Sequence, residues 1–101
     1  MKKVQTREQL LGILRNSRQG LTDLFGVTDI AVFGSYAKDS PRRGSDIDIM
    51  VELEPSRKTF DNYMELKFFL SRITGGKIDL VLKESVREEL KPVIFSEAVH
   101  V

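Results

Sequence analysis

The sequence contains no cysteine and no tryptophan, and it has a single histidine, His100. The missing cysteines exclude disulfide scaffolds and cysteine-ligated zinc sites, and a lone histidine excludes a histidine-rich metal centre. No apolar run reaches the ~20 residues that a membrane-spanning helix needs, and no apolar signal core follows the first lysines. We therefore expect a cytoplasmic protein that does not associate with a membrane.

A strong excess of charge of one sign is also lacking, because 16 Lys and Arg nearly balance 15 Asp and Glu. A net charge of +1 gives no reason to expect direct DNA binding, since nucleic-acid-binding domains usually carry a strong basic excess. The charge is uneven: residues 1–45 hold eight basic and four acidic side chains, whereas 46–101 hold eight and eleven. The length of 101 residues and the 41% hydrophobic content predict one domain spanning 1–101.

The pattern of apolar residues and chain breakers predicts helices alternating with strands. A capping box at Thr6 indicates the start of the first helix, and an apolar run that stops at Gly34 indicates a buried strand. The next strand begins ten residues later, which is short for a parallel crossover, so we expect it to be antiparallel to the first. The predicted elements are a helix over 7–18, strands over 29–33, 46–53 and 77–82, a helix over 59–74, a short helix ending near 90, and a final helical turn or strand over 93–101.

Two carboxylates stand out in the second strand. Asp46 and Asp48 are two residues apart, so their side chains leave the same face of the strand with Cα atoms about 6.6 Å apart. Such a pair can share a divalent cation, and carboxylate oxygens suit Mg²⁺. A third carboxylate, Asp79, lies in the other alternating strand, and neighbouring strands in register would bring all three acids to one sheet face.

Gly34 and Ser35 follow the first strand, where a helical turn can begin. Backbone N–H groups are unpaired at such a position, glycine allows a phosphate to approach the main chain, and the serine hydroxyl can donate to a phosphate oxygen. A phosphate cradle that faces a carboxylate platform is what phosphoryl or nucleotidyl transfer requires.

Each feature taken alone has an ordinary structural explanation. A Gly-Ser pair after a strand is usually a turn, a D-x-D pair is often a surface edge, and a lone Asp79 would be a solvated strand residue. A calcium loop of the EF-hand type is excluded, because Ile47, Ile49 and Met50 fill the positions of its D-x-D-x-[DN]-G pattern, so Met50 stands where Asp or Asn is required. The combination of the three features in one small domain favours a nucleotide site.

The motif set Gly-Ser, ten residues, Asp-x-Asp and a later strand aspartate resembles the polymerase-β-type nucleotidyltransferase superfamily. Within it, the chain resembles the minimal nucleotidyltransferases (MNT) of bacteria and archaea. The likeness covers nearly the whole chain and rests on VFGSYA at 32–37, SDIDIMV at 45–51, IDLV at 78–81 and EAV at 97–99. It implies the minimal polymerase-β-like fold, an α/β fold in which helices flank a small mixed sheet of three or slightly more strands.

The resemblance also implies roles for individual residues. Gly34 and Ser35 would hold the triphosphate of ATP, Asp46 and Asp48 would bind two Mg²⁺ ions, and Asp79 would complete the site as metal ligand and general base. Many relatives carry Arg-Gly where this chain has Lys38 and Asp39. Lys38 keeps the positive charge without the bidentate fork of arginine. Two further basic side chains of this loop can either meet the triphosphate or remain solvated, namely Arg42 and Arg43.

The family is often paired with a helical HEPN partner, a ribonuclease toxin. The resemblance implies a hetero-oligomer in which the chain acts as antitoxin by transferring AMP from ATP onto a tyrosine of the toxin. We expect no room for an acceptor-binding lobe in 101 residues, which favours a protein acceptor. The alternatives are an antitoxin that neutralises its partner by binding alone, and a transferase acting on RNA or a small molecule.

The predicted helix over 59–74 carries two apolar stripes. Tyr63, Leu66, Leu70 and Ile73 form the stripe expected to face the core. The second stripe, rotated by roughly 100° or more, can pack under the C-terminal segment or contact a partner or a second copy. It consists of Phe60, Met64 and Phe68.

Overall fold

The fold is taken from a computed structural model, which describes residues 3–41 and 44–101. The helices are α1 (Arg7–Asn16), α2 (Arg18–Phe25), α3 (Gly34–Ala37), α4 (Phe60–Thr74) and α5 (Lys91–Glu97). The strands are β1 (Val27–Phe33), β2 (Ile47–Leu53), β3 (Ile78–Leu82) and β4 (Val99–His100). Short 3-10 turns occupy Pro55–Arg57, Lys83–Ser85 and Glu88–Leu90.

The four strands form one mixed sheet in the order β3-β2-β1-β4. β1 is antiparallel to both β2 and β4, whereas β2 and β3 are parallel and are connected through α4. The predicted α/β class, the mixed sheet flanked by helices and the antiparallel first pair are therefore confirmed. The β2-α4-β3 connection places two acidic strands side by side, which is the feature on which the site depends.

The main core lies between the helices α1, α2 and α4 and one face of the sheet. Alternation along β2 points Ile47 and Ile49 into this core, and α4 contributes Leu66 and Leu70, all four with no exposed surface. A smaller cluster around Met50 covers part of the opposite face, where the C-terminal segment packs. No helix in the described ranges is both long and apolar enough to cross a membrane.

Thr59 and Gly75 set the limits of α4. The Thr59 hydroxyl accepts a hydrogen bond from the backbone N–H of Asn62 at 3.1 Å, which caps the first turn. Gly75 ends the helix in the left-handed conformation with φ 74°, as the glycine pair in the sequence predicts. The predicted helix over 59–74 is thus confirmed, with its first residue acting as the cap.

The predicted first helix begins at Arg7 as expected but ends at Asn16, and the separate helix α2, which begins at Arg18, was not predicted. The N–H of Ser17 donates to the carbonyls of Ile13 and Leu14, which ends α1. The break allows both helices to bury leucines in the same core, so tertiary packing decides the boundary. The first strand is also longer than predicted and begins at Val27.

The outer stripe of α4 does not pack under the C-terminal segment, so that expectation is wrong. Phe60 is 76% exposed and Phe68 is 64% exposed. The C-terminal segment instead forms both α5 and β4, and its last residue, Val101, packs against the main core. The segment is held there by pairing between β4 and β1, which leaves the aromatic side of α4 open.

Candidate active site

Asp48 and Asp79 occupy matching positions in β2 and β3. They are direct partners in the parallel register, so both side chains leave the same face of the sheet. That face is opposite to the one on which Ile47, Ile49 and Ile78 enter the main core. The condition that the sequence analysis set for a shared site, neighbouring strands in register, is therefore met for these two acids.

The environment of Asp48 opposes its ionisation. Burial, the charge of Asp79, the hydrogen bond with Asp79 and the charge of Asp46 together raise the pKa of Asp48 to about 6. Two carboxylates this close repel each other unless a proton or a cation lies between them. A divalent cation such as Mg²⁺ binds carboxylate oxygens and would remove the repulsion between the two acids. The pair therefore fits the metal that the family resemblance implies.

Asp46 lies one residue before β2 and is exposed. Its charge contributes to the raised pKa of Asp48, although less than burial and Asp79 do. In residues 3–41 and 44–101, no three acidic, histidine or cysteine side chains are already clustered around a common metal position. The structure thus brings Asp48 and Asp79 together and places Asp46 near them, directly before the first residue of β2.

Gly34 packs directly against Asp48. Its φ of 70° lies in the left-handed region, and a Cβ added at this position would overlap the Asp48 carboxylate. Both facts require glycine here, since any other side chain would be strained and would displace the acid. Gly34 begins α3 directly after β1, and the half-buried Ser35 follows it, so the glycine-serine pair borders the acidic pair.

Lys38 is exposed, and its ammonium forms an ion pair with the Glu97 carboxylate at 3.4 Å. It therefore links the end of α3 to α5, and its role at a triphosphate stays a prediction. The predicted phosphate contacts of Arg42 and Arg43 fall outside the described residues.

Asp39 explains the departure from the Arg-Gly pattern of many relatives. Its φ of 55° is left-handed, a conformation that glycine adopts readily and aspartate tolerates. Its carboxylate accepts a hydrogen bond from the backbone N–H of Arg7 at 3.0 Å, and the Arg7 guanidinium donates to the carbonyl of Ala37 at 3.1 Å. Asp39 thus fastens α3 to the start of α1.

Tyr63 is a neighbour of the site that the sequence did not indicate, because its helical spacing placed it in the core stripe. Its hydroxyl donates to the carbonyl of Leu80 at 2.6 Å, and it is half-buried. Burial and the charge of Asp79 raise the pKa of Tyr63 above its usual value. Only the pairing of β3 with β2 and the packing of α4 bring Tyr63 near Asp79, which no local pattern predicts.

The acidic pair bordered by a glycine-serine turn is the arrangement expected of a nucleotidyltransferase, and sequence comparison points to the same class. The family profile described as "Nucleotidyltransferase domain" matches residues 14–101. The chain belongs to this family.

Two relatives in this family are named as protein adenylyltransferases. Protein adenylyltransferase MntA of Thermococcus cleftensis is 36% identical over 98 residues, covering 95% of this chain and 96% of that protein. A protein of Methanocaldococcus jannaschii, provisionally named a protein adenylyltransferase, is 40% identical over 84 residues and covers 82% of this chain and 84% of its own length.

Solved structures show the same fold. One that is provisionally described as a minimal nucleotidyltransferase has a TM-score of 0.79 and 29% identity, and covers 93% of this chain and 94% of its own. A complex of a tri-AMPylated HEPN toxin with an MNT antitoxin from Shewanella oneidensis is similar with a TM-score of 0.57 and 21% identity. That match covers 93% of this chain and 66% of the matched chain.

Proposed function

We propose that this chain is a Mg²⁺-dependent protein adenylyltransferase that moves AMP from ATP onto a hydroxyl, specifically a tyrosine, of a HEPN-type ribonuclease toxin. By this transfer it acts as the antitoxin of its partner, with which it forms a hetero-oligomer. The observation that carries the proposal is the in-register pairing of Asp48 with Asp79, with Gly34 packed against Asp48.

We assign metal binding to the three acids and proton acceptance to one of them. Asp46, Asp48 and Asp79 would hold Mg²⁺, which neutralises charge on the phosphates when it is bound. Asp79 is the exposed member of the register pair, so an acceptor can reach its carboxylate. We assign to Asp79 the additional role of general base.

Gly34 and Ser35 are assigned to the triphosphate. Gly34 has no side chain to block the approach of a phosphate, and the Ser35 hydroxyl can donate to a phosphate oxygen. Because Gly34 also touches Asp48, a triphosphate bound to this pair would lie within reach of the acids. We propose further cationic contacts to the triphosphate from the segment that follows α3, namely from Lys38, Arg42 and Arg43.

The proposed reaction is a single displacement at the α-phosphorus of ATP. The acceptor hydroxyl oxygen forms a bond to this phosphorus and gives its proton to the Asp79 carboxylate. The bond between the α-phosphorus and the bridging oxygen breaks, and pyrophosphate leaves with the electron pair. The product is AMP in phosphodiester linkage to the acceptor side chain. Positioning and charge stabilisation supply most of the acceleration in such transfers.

The choice of a protein acceptor is supported by the relatives. Thermococcus cleftensis MntA is a protein adenylyltransferase at 36% identity over nearly the whole length of both chains. In the Shewanella oneidensis complex, the HEPN toxin beside the MNT antitoxin carries AMP groups. The low charge of this chain gives no support to an RNA acceptor.

The proposal can be tested with a HEPN-type protein from the same genome, ATP labelled in the α-phosphate, and Mg²⁺. We expect label on a tyrosine of the partner and loss of its ribonuclease activity. Asp48→Asn and Asp79→Asn should each reduce labelling by at least about 100-fold, the usual scale for removing a catalytic group. Asp29→Asn serves as the control, because this aspartate lies in the same sheet but pairs with His100 at 3.2 Å.

The alternative functions predict different results in the same assay. An antitoxin that works by binding alone would still silence the ribonuclease when Asp48 is replaced, and that result would contradict the proposal. A transferase for RNA or small molecules would incorporate label into those acceptors and leave the partner unlabelled.

A further inference from the structure

β3 is an edge strand, and it carries the proposed catalytic Asp79. One side of β3 pairs with β2, and the other side pairs with no strand of residues 3–41 and 44–101. The N–H of Ile47 donates to the carbonyl of Lys77 at 2.8 Å, so alternation turns the backbone groups of Leu80 and Leu82 away from β2. The Tyr63 hydroxyl already bonds the outward carbonyl of Leu80. A further strand would therefore pair mainly through the other outward groups, among them the N–H groups of Leu80 and Leu82.

A cavity of about 450 Å³ lies beside this edge. Its lining is mainly apolar and comes from α4, β3, the end of β2 and the segments beside them, which contribute Lys58 and Ser85. Phe60 is part of the lining and is 76% exposed, so the cavity is open to solvent on this side. The other apolar residues of the lining are Leu53, Tyr63, Leu80, Val81 and Leu82.

The edge and the cavity have a fixed relation to Asp79. Asp79 leaves the sheet on the site face, whereas its neighbour Leu80 leaves on the core face and lines the cavity. A strand added beside β3 would alternate in the same way. A residue opposite Asp79 would have its Cβ about 5 Å from that of Asp79. The next residue, opposite Leu80, would point towards the cavity, which Leu80 lines and Ile78 does not.

We infer that the outer edge of β3 binds an extended segment of the acceptor protein, with the hydroxyl residue opposite Asp79 and an apolar neighbour, opposite Leu80, in the cavity. The inference rests on the proposed function and specifies how that function selects its acceptor. Main-chain hydrogen bonds to β3 hold the segment, and the cavity selects its apolar side chains, as in other cases of strand addition. The five residues of β3, Ile78–Leu82, limit the paired segment to about five residues.

A second copy of this chain is a poorer occupant of the same edge. The other edge strand of a second copy, β4, has only two residues and offers little to pair with. Pairing of the two β3 strands would bring the acidic sites of both copies close together. Like charges that face each other across strands oppose such pairing. An acceptor segment with an uncharged hydroxyl residue meets no such repulsion.

The test uses the full chain and a seven-residue probe, Lys-Thr-Val-Tyr-Val-Thr-Lys, whose Tyr has apolar neighbours on both sides. We expect the amides of Leu80 and Leu82 to shift in NMR spectra and to exchange more slowly when the probe is added. With ATP and Mg²⁺, the probe tyrosine should accept AMP more efficiently than N-acetyl-tyrosinamide. N-methylation of alternate probe residues should block binding in only one of the two alternating sets, because a strand pairs through every second residue.

Phe60→Ser and Phe68→Ser form a matched pair of variants, because both side chains are exposed on α4 but only Phe60 lines the cavity. Phe60→Ser should raise the KM for the probe about tenfold, whereas Phe68→Ser should leave it within about twofold. Equal effects of the two variants, or unchanged Leu80 and Leu82 amides while AMP transfer to another acceptor proceeds, would overturn strand addition and leave the proposed function standing. Probe binding at the edge without AMP transfer to any acceptor would overturn the proposed function instead.

Discussion

At the scale of single residues, the contact between Gly34 and Asp48 links the start of α3 to the acidic pair. The left-handed φ of 70° at Gly34 and the nearness of the Asp48 carboxylate both depend on the absence of a side chain. The consequence is that a substitution at residue 34 acts on the site directly, without any need to unfold the protein.

We predict that Gly34→Ala abolishes AMP transfer. The new Cβ would displace Asp48, in addition to a strain of about 1–2 kcal/mol from the left-handed backbone. Gly44→Ala is the matched control, because Gly44 also has a positive φ, 83°, but among the described residues no atom lies within 4 Å of a Cβ built there. Transfer assays and denaturation curves on both variants separate strain from displacement. Similar activity of the two variants would argue against the assigned contact.

Asp48 also carries a prediction about stability. Its pKa of about 6 in the folded protein is higher than that of an unfolded aspartate, so ionisation opposes folding. Without a divalent cation, the protein should therefore lose stability as pH rises from about 4 to about 6. The contribution is absent when Asp48 is replaced by a neutral residue.

We expect Asp48→Asn to unfold at a higher urea concentration than the original chain at pH 8 in the presence of a chelator. The difference should shrink as pH falls towards about 4, because Asp48 is then protonated in the folded protein and only partly ionised in the unfolded chain. Glu65→Gln, which removes one negative charge at an exposed position of α4, is measured beside it as the charge control. A lower unfolding midpoint for Asp48→Asn at pH 8 would show that the acid is not destabilised by its surroundings.

At the scale of elements, α3 is held in place by the segment that precedes α1. The Tyr36 hydroxyl donates to the carbonyl of Val4 at 2.8 Å, and the Val4 N–H donates to the carbonyl of Thr74 at 2.9 Å. Lys3 donates to the carbonyl of Ser45, close to Asp46. One short segment thus connects α3, the end of α4 and the approach to β2.

Tyr36→Phe should therefore lower the free energy of unfolding by about 1–2 kcal/mol, because the buried Val4 carbonyl would lose its side-chain donor. Urea denaturation measures the change. Ser96→Ala removes an exposed hydroxyl bond on α5 and should change stability by less than about 0.5 kcal/mol. If Tyr36→Phe is as stable as the original chain, the Tyr36 bond does not hold α3.

The elements differ in how well the sequence predicts them. Alternation marks β2 and β3, and a capping threonine and a terminal glycine mark α4, so local rules suffice for these three elements. The pairing of Asp48 with Asp79 also requires β2 and β3 to be neighbours in register, which the sequence states only as a condition. The break at Ser17 follows from the packing of α1 and α2 on a shared core. The exposure of Phe60 and the nearness of Tyr63 to Asp79 depend on where the C-terminal segment and α4 pack. Both features depend on contacts between distant parts of the chain, which the periodicity of the sequence does not predict.

At the scale of the whole molecule, the acids and the free sheet edge lie together at one side of the structure. The helices α1, α2 and α4 cover one face of the sheet, and Asp48 and Asp79 lie on the other, with Asp79 in the edge strand. Such an arrangement is open to a large acceptor, which agrees with the proposed transfer to a protein.

Mass spectrometry of a HEPN-type partner after incubation with this chain, ATP and Mg²⁺ tests AMP transfer most directly. We expect an added AMP on a tyrosine of the partner, no addition with Asp79→Asn, and normal addition with Asp29→Asn. An unmodified partner whose ribonuclease activity is nevertheless silenced would show that the chain does not act by AMP transfer.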